Sequence, residues 1–145
     1  RYETKLIGKG FSSWYAAWKA EAYARCGRTN ETSEALSQAR ASKGKYDELF
    51  EINEENVYSV PWFMAAAGVY VSAVNESILQ SDGENVFLLP ASGEKNISFK
   101  LPVKGGAVCE AEIRDGLLKK VEFSFREGVK PKKFNVFLHG NKIEY

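Results

Sequence analysis

The sequence of 145 residues lacks the features that mark several functional classes. It has one histidine and two separated cysteines, too few for the His and Cys ligand set of a zinc site. No apolar run approaches the ~20 residues needed to span a bilayer, and neither a phosphate loop nor a GxSxG elbow occurs. The formal net charge of +1 gives no reason to expect nucleic acid or an acidic membrane as a partner. We therefore expect no metal, no cofactor, no nucleic acid and no membrane.

The two cysteines do not form a disulfide framework. Cys26 lies in a predicted helix and Cys109 in a predicted strand. A bridge requires the two halves of the chain to pack at these positions, which the sequence leaves open. We expect two buried free thiols.

The most informative feature that is present is a change of hydrophobic period between Asn75 and Ala91. Upstream, aromatic and small residues recur at helical spacing, whereas downstream the apolar residues alternate or form short runs. The prediction is an α+β fold with three N-terminal helices followed by a small antiparallel β-sandwich. The predicted boundary separates residues 1–81 from residues 82–145. Each part is small for a domain that has to fold without the other.

Local signals delimit the helices. Ser12 or Ser13 is the predicted cap of the first helix and Gly27 its end. Asn30 is the predicted cap of the second helix, which continues towards Gly44. The apolar stripe of the first helix is predicted from residues at three- and four-residue spacing: Trp14, Tyr15, Trp18, Ala22 and Cys26.

The third helix and the strands complete the prediction. Pro61 opens the third helix, which extends to about Gln80, and its small residues Ala65 to Gly68 allow close approach of a neighbour. Turn signals then recur about every ten residues, as in a sandwich. Asp115-Gly116 predicts one hairpin, and Gly140-Asn141 another at the C-terminus.

The order of four segments carries a family resemblance. They are GFSSWYAAWKAEAYARCG, VPWFMAAAGVYVSAVNESILQS, VFLLPA and FKLPVKGGAVCEAEIRDGLLKKVEF. This succession resembles the C-terminal end of six-hairpin glycosidases, most of all the α-L-fucosidase-type glycoside hydrolase family 95. The resemblance implies helices that close an (α/α)6 toroid, a C-terminal β-sandwich, a carbohydrate partner and an upstream part of the parent chain. The resemblance also implies a bacterial protein that is exported to the periplasm or the cell exterior.

The resemblance has gaps where the chemistry would be. The family usually has an acid just before the helix that begins Gly, aromatic, Ser, and here Leu6 to Lys9 contains no carboxylate. It also has an acid in the turn entering the last toroid helix, where Ala65 stands here. Glycoside hydrolysis needs two carboxyl groups across the scissile bond. We therefore assign no catalytic residue, leave enzymatic activity open, and expect this part alone to be inactive.

In a toroid, the starts of the first and third helices face the same mouth. Phe11, Trp14, Tyr58 and Trp62 lie near those starts and are the predicted substrate-binding residues, because aromatic faces stack on sugar rings. The alternative is that Trp14, Trp18 and Trp62 are core side chains that seal helix to sandwich.

Other candidates have simpler explanations. We predict that Glu51, Glu54 and Glu55 are solvated loop carboxylates. The less favoured alternative is that they replace the family acids. Glu76 has a helix-end salt bridge as its alternative to a buried role. His139 precedes Gly140 in a predicted hairpin and is expected to serve a turn.

Two functional hypotheses remain. The first is a C-terminal portion of a glycoside hydrolase that gives structural support and part of the cleft wall. The second is a non-catalytic carbohydrate-binding or scaffolding module. Because three helices cannot close a toroid, an apolar flank of the first or third helix should stay open, and we expect self-association through the helical half or helices folded onto the sandwich.

Overall fold

A computed structural model describes residues 13–41, the backbone of residues 51–52 and 58–60, and residues 64–145. The helices are α1 (Ser13–Arg25), α2 (Thr29–Ala41) and α3 (Met64–Ile78). The strands are β1 (Glu51–Ile52), β2 (Tyr58–Val60), β3 (Leu79–Ser81), β4 (Asn85–Leu88), β5 (Ile97–Val103), β6 (Ala107–Arg114), β7 (Leu117–Phe125), β8 (Asn135–Leu138) and β9 (Asn141–Ile143). The predicted α+β class, with helices followed by a sandwich, is confirmed.

The turn between α1 and α2 confirms one predicted helix end and corrects a predicted start. Gly27 follows α1 with a φ of 68°, a left-handed conformation that glycine adopts without strain. The backbone N–H of Thr32 donates to the carbonyl of Arg28 at 2.9 Å, and α2 begins at Thr29. The prediction of Asn30 as the cap is therefore wrong, because the tight turn starts the helix earlier.

Helix α3 continues into the sandwich without a loop. It ends at Ile78, two residues before the predicted end at Gln80, since Gln80 pairs with Phe87 in the antiparallel β3–β4 ladder. After β4 the chain returns to the end of α3, where the N–H of Leu89 donates to the carbonyl of Ile78 at 2.7 Å. The predicted start at Pro61 lies outside the described residues.

The helices pack through alanine. Six alanines that are fully or almost fully buried meet between the helices, and we name them the alanine seam: Ala16, Ala17, Ala20, Ala35, Ala39 and Ala73. The predicted apolar stripe of α1 is wrong, because Trp14, Trp18, Ala22 and Cys26 lie on the exposed side of the helix. Small side chains let helix backbones approach closely, and the bulky stripe does not fit between them.

The sandwich consists of a three-stranded sheet, β5-β6-β7, and a four-stranded sheet, β3-β4-β8-β9. Both predicted hairpins form: β6–β7 turns at Asp115 and Gly116, and β8–β9 turns at His139 and Gly140, all with positive φ. One pairing differs from the antiparallel prediction. Strand β8 lies parallel to β4, because the long return from β7 brings it in beside β4 in the same direction.

The sandwich core alternates small and large residues across the three-stranded sheet. The central strand β6 contributes inward Cys109 and Ala111, and the flanking strands supply larger neighbours such as Leu101 and Phe123 on either side of Cys109. The opposite sheet presses fully buried aliphatic side chains against them: Val86, Leu88 and Val136. This interdigitation gives the sandwich a single contiguous core.

Candidate functional site

The structure describes one of the four predicted substrate-binding side chains. Trp14 lies in the first turn of α1, with 42% of its surface exposed, and Trp18 lies one turn later with 56% exposed. Both point away from the alanine seam, so the interpretation of these two residues as core side chains is wrong. Phe11 and Trp62 lie outside the described residues, and Tyr58 is described only as part of the β2 backbone.

Helices α1 and α3 run parallel. Ala16 and Ala17 group with Val69 and Tyr70, while Arg25 forms an ion pair with Glu76, so the residue numbers rise together along the two helices. The pairing with α2 runs the other way, because Ala39 meets the start of α1 and Ala35 groups with Ala20 further along. The N-terminal ends of α1 and α3 therefore lie at one end of the helical layer.

The sandwich lies at the opposite end of that layer. The side-chain amide of Gln80 donates to the carbonyl of Ala24, near the end of α1, at 2.8 Å. A Cβ atom added at Gly27 would lie 3.5 Å from the carbonyl oxygen of Pro90, after β4. Trp14 is separated from Arg25 by about 17 Å at ~1.5 Å per helical residue. The aromatic end is thus remote from the junction with the sandwich.

The carboxylate candidates do not form a catalytic pair in the described residues. Glu76 pairs with Arg25 at 3.4 Å, and Glu21 pairs with the same guanidinium at 2.8 Å, which confirms the helix-end salt bridge predicted as the alternative for Glu76. Ala65 is exposed in the first turn of α3 and supplies no carboxylate. The side chains of Glu51, Glu54 and Glu55 lie outside the described residues.

The two thiols occupy opposite environments. Cys109 is fully buried in the sandwich core, and burial raises the pKa of its thiol to about 12. Cys26 is exposed after the last turn of α1, so the prediction that it is buried is wrong. Both are free, which agrees with the prediction of no disulfide. His139 is exposed in the β8–β9 turn with a φ of 49°, in agreement with a turn role.

The outer face of the three-stranded sheet carries a network of opposite charges. Lys120 on β7 contacts Glu110 at 2.9 Å and Glu122 at 3.1 Å, and Lys100 on β5 reaches Glu110 at 3.4 Å. The hydrogen bonds from Lys120 and Lys100 lower the pKa of Glu110, and those to Glu110 and Glu122 raise the pKa of Lys120. These ion pairs are solvent-exposed, and each charge has a partner of opposite sign. We therefore interpret them as a surface network and not as a reactive group.

A polar cleft, which the sequence does not predict, lies at the junction of the helices and the sandwich. We name it the junction cleft. It has a volume of about 430 Å³, and its polar lining comes from α1, α3, β3 and the β5–β6 turn: Arg25, Glu76, Gln80, Ser81 and Lys104. These residues are far apart in the sequence and match no motif spacing. No local signal in the sequence points to the cleft, because the fold alone brings the residues together.

In the described part of the chain, no group of three or more His, Cys, Asp or Glu side chains is placed to hold a metal ion. Among the same residues, no helix has both the length and the apolar character required to cross a membrane. No model of a known protein family and no curated protein sequence matches this chain.

Proposed function

We propose that the chain is the C-terminal segment of a six-hairpin glycoside hydrolase, in which α1 to α3 complete an (α/α)6 toroid and the sandwich braces it. The observation that carries the proposal is the parallel packing of α1 and α3 with α2 antiparallel to α1. Successive hairpins of a toroid repeat this order, since every second helix belongs to the same ring. The direct passage from α3 into β3 gives the sandwich a rigid attachment.

The exposed apolar side chains of the helical layer support the same proposal. Trp14 and Trp18 on α1, and Met64 and Val71 on α3, are all 42% exposed or more. Large apolar side chains at neighbouring positions of a helix surface are typical of a contact surface. In the parent enzyme, preceding hairpins cover part of this surface, and Trp14 at the N-terminal end contributes to the wall of the carbohydrate cleft. In the isolated chain, the same surface is expected to cause self-association.

The test is expression of the complete natural reading frame that contains this segment, next to the 145-residue chain. Both proteins are assayed with a panel of nitrophenyl glycosides that includes the α-L-fucoside. The expected result is hydrolysis by the longer protein and none by the segment, since no carboxylates among the described residues are placed as an acid pair. A longer protein without upstream α-hairpins, or without activity on any glycoside of the panel, would contradict the proposal.

A second candidate is a non-catalytic carbohydrate-binding module, and the exposed pair Trp14 and Trp18 favours it. The two indoles are one helical turn apart on one side of α1. They offer apolar area to a sugar without any contribution from an upstream part of a parent chain. In this case the isolated chain binds oligosaccharides, and Trp14→Ala abolishes binding while the exposed Lys119→Ala on β7 does not. Binding by the isolated chain together with an inactive full-length protein would select this candidate over the first.

A further inference from the structure

We propose that the junction cleft is a binding site for a neutral, hydroxyl-rich ligand, namely a mono- or disaccharide. It goes beyond the proposed function, because the cleft lies at the C-terminal ends of α1 and α3, at the opposite end of the helical layer from Trp14. Its volume of about 430 Å³ falls within the ~300–1,000 Å³ of typical small-molecule pockets. Its polar groups converge from four elements that the fold holds together.

The floor of the cleft is fixed by hydrogen bonds. The side-chain nitrogen of Gln80 donates to the carbonyl of Ala24 and to that of Glu76, each at 2.8 Å, and so joins the ends of α1 and α3. The hydroxyl oxygen of Ser81 accepts the backbone N–H of Lys104 at 2.9 Å, which attaches β3 to the β5–β6 turn. Polar groups held in this way are ready to bind without reorganisation.

The groups that remain free are a mixture of donors and acceptors. Both amide protons of Gln80 are used, so its side-chain oxygen is left to accept. The hydroxyl of Ser81 accepts from Lys104 and keeps its own proton to donate. Within the described residues, the Lys104 ammonium forms no ion pair. Sugar hydroxyls both donate and accept, and therefore match such a mixture.

The charge balance argues against an anionic ligand. The Arg25 guanidinium is already shared between Glu21 at 2.8 Å and Glu76 at 3.4 Å. Together with Lys104, these groups sum to no net charge. An anion placed beside Arg25 would be repelled by both carboxylates, whereas a neutral hydroxyl can bind to either the cation or the carboxylate.

A second cleft extends the first along α3. It has a volume of about 390 Å³, shares Glu76, Leu79 and Pro102 with the junction cleft, and continues past Asn75 to Gly68. The shared Pro102 is apolar and exposed, and it offers surface for the C–H face of a sugar ring. The combined length accommodates a second sugar unit, which is why we include disaccharides.

The test is an NMR titration of the ¹⁵N-labelled chain with glucose, galactose, mannose, L-fucose, xylose, lactose and cellobiose. The expected result is that at least one sugar shifts the Gln80 side-chain amide and the backbone amides of Ser81 and Lys104. Lys104→Ala and Ser81→Ala are each expected to weaken binding at least ~3-fold, the effect of losing one hydrogen bond. Lys119→Ala on β7 is the matched control and should leave binding unchanged.

Three outcomes would overturn the inference. One is that no sugar of the panel shifts these resonances. Another is that Lys104→Ala and Ser81→Ala, with unchanged spectra elsewhere, bind as the parent chain does. The third is that glucuronate binds more tightly than glucose and loses affinity between about 50 and 500 mM NaCl, the signature of an anion site. If the first outcome is accompanied by shifts at Trp14 and Trp18, the result also supports the second candidate function.

Discussion

The helical layer and the sandwich bury opposite kinds of residue. The alanine seam encloses methyl groups and leaves Trp14 and Trp18 outside, whereas the sandwich encloses branched side chains such as Leu88, Leu89 and Ile113. Each methyl group buries little area, so burial of side chains contributes little to the stability of the helical layer. The layer is stabilised mainly by van der Waals contacts between closely packed helix backbones. The sandwich is held by the area of its large side chains. Among the described residues, the helical layer therefore leaves more large apolar side chains exposed than the sandwich does.

The largest expected effect is in the sandwich core. Ile113→Ala removes a fully buried side chain whose strand neighbours are Ile97 and Leu118, and should lower the free energy of unfolding by about 2–5 kcal/mol. The measurement is urea denaturation followed by circular dichroism. Leu117→Ala is the control, since Leu117 is 60% exposed on the neighbouring strand and should change stability little. Equal effects of the two variants would show that Ile113 is not in a closed core.

The next effect is in the alanine seam, where adding volume should be harmful. Ala20 is fully buried and groups with Ala35 and Ala73, so Ala20→Leu should force the helices apart at a cost of about 1–3 kcal/mol. Ala22→Leu places the same side chain on the exposed side of α1 and is the matched control. Urea denaturation compares the two. If Ala20→Leu were neutral or stabilising, the seam would contain unfilled space and the contrast with the sandwich would fail.

An effect similar in size to that of Ala20→Leu is expected in the β5–β6 turn, where the Gly106 backbone lies close to the Val129 side chain. Gly106 has a φ of 79°, and a Cβ added there would lie 2.9 Å from a methyl of Val129. Gly106→Ala should cost about 1–2 kcal/mol from the left-handed backbone, and more from the contact. Gly116→Ala, with a φ of 74° and open space around it, measures the backbone cost alone. Adding Val129→Ala to Gly106→Ala should recover part of the difference in unfolding free energy between Gly106→Ala and Gly116→Ala. If nothing is recovered, the contact with Val129 makes no steric contribution.

Local features of the sequence predicted most of the architecture. The change of period located the passage from α3 to the sandwich, and Gly27, Asp115-Gly116 and the turn at Gly140 marked real turns with positive φ. These signals are sufficient because a turn depends on a few adjacent residues. The start of α2 and the end of α3 were each displaced by one or two residues, where neighbouring turns and strand pairing decide the boundary.

Long-range features were not predictable in the same way. On α1, both the tryptophans and the alanines recur at helical spacing, and hydrophobicity alone favoured the tryptophans as the buried stripe. The neighbouring helices decide which residues of α1 are buried, since Ala73 on α3 groups with Ala20 on α1 and Ala35 on α2, where small side chains let the helices pack closely. The parallel pairing of β4 and β8 and the junction cleft depend likewise on segments far apart in the chain.

The smallest expected effect on stability, and the sharpest test of the contrast, is in the exposed tryptophans. Trp18→Ser replaces a side chain that is 56% exposed by a residue of similar helix propensity, so the free energy of unfolding should change by no more than about 0.5 kcal/mol. Because the lost surface is the proposed contact surface, the variant should self-associate less than the parent chain in sedimentation velocity at high concentration. A loss of stability as large as that of Ile113→Ala would instead show that Trp18 is enclosed within this chain, and the helical layer would then be as complete as the sandwich.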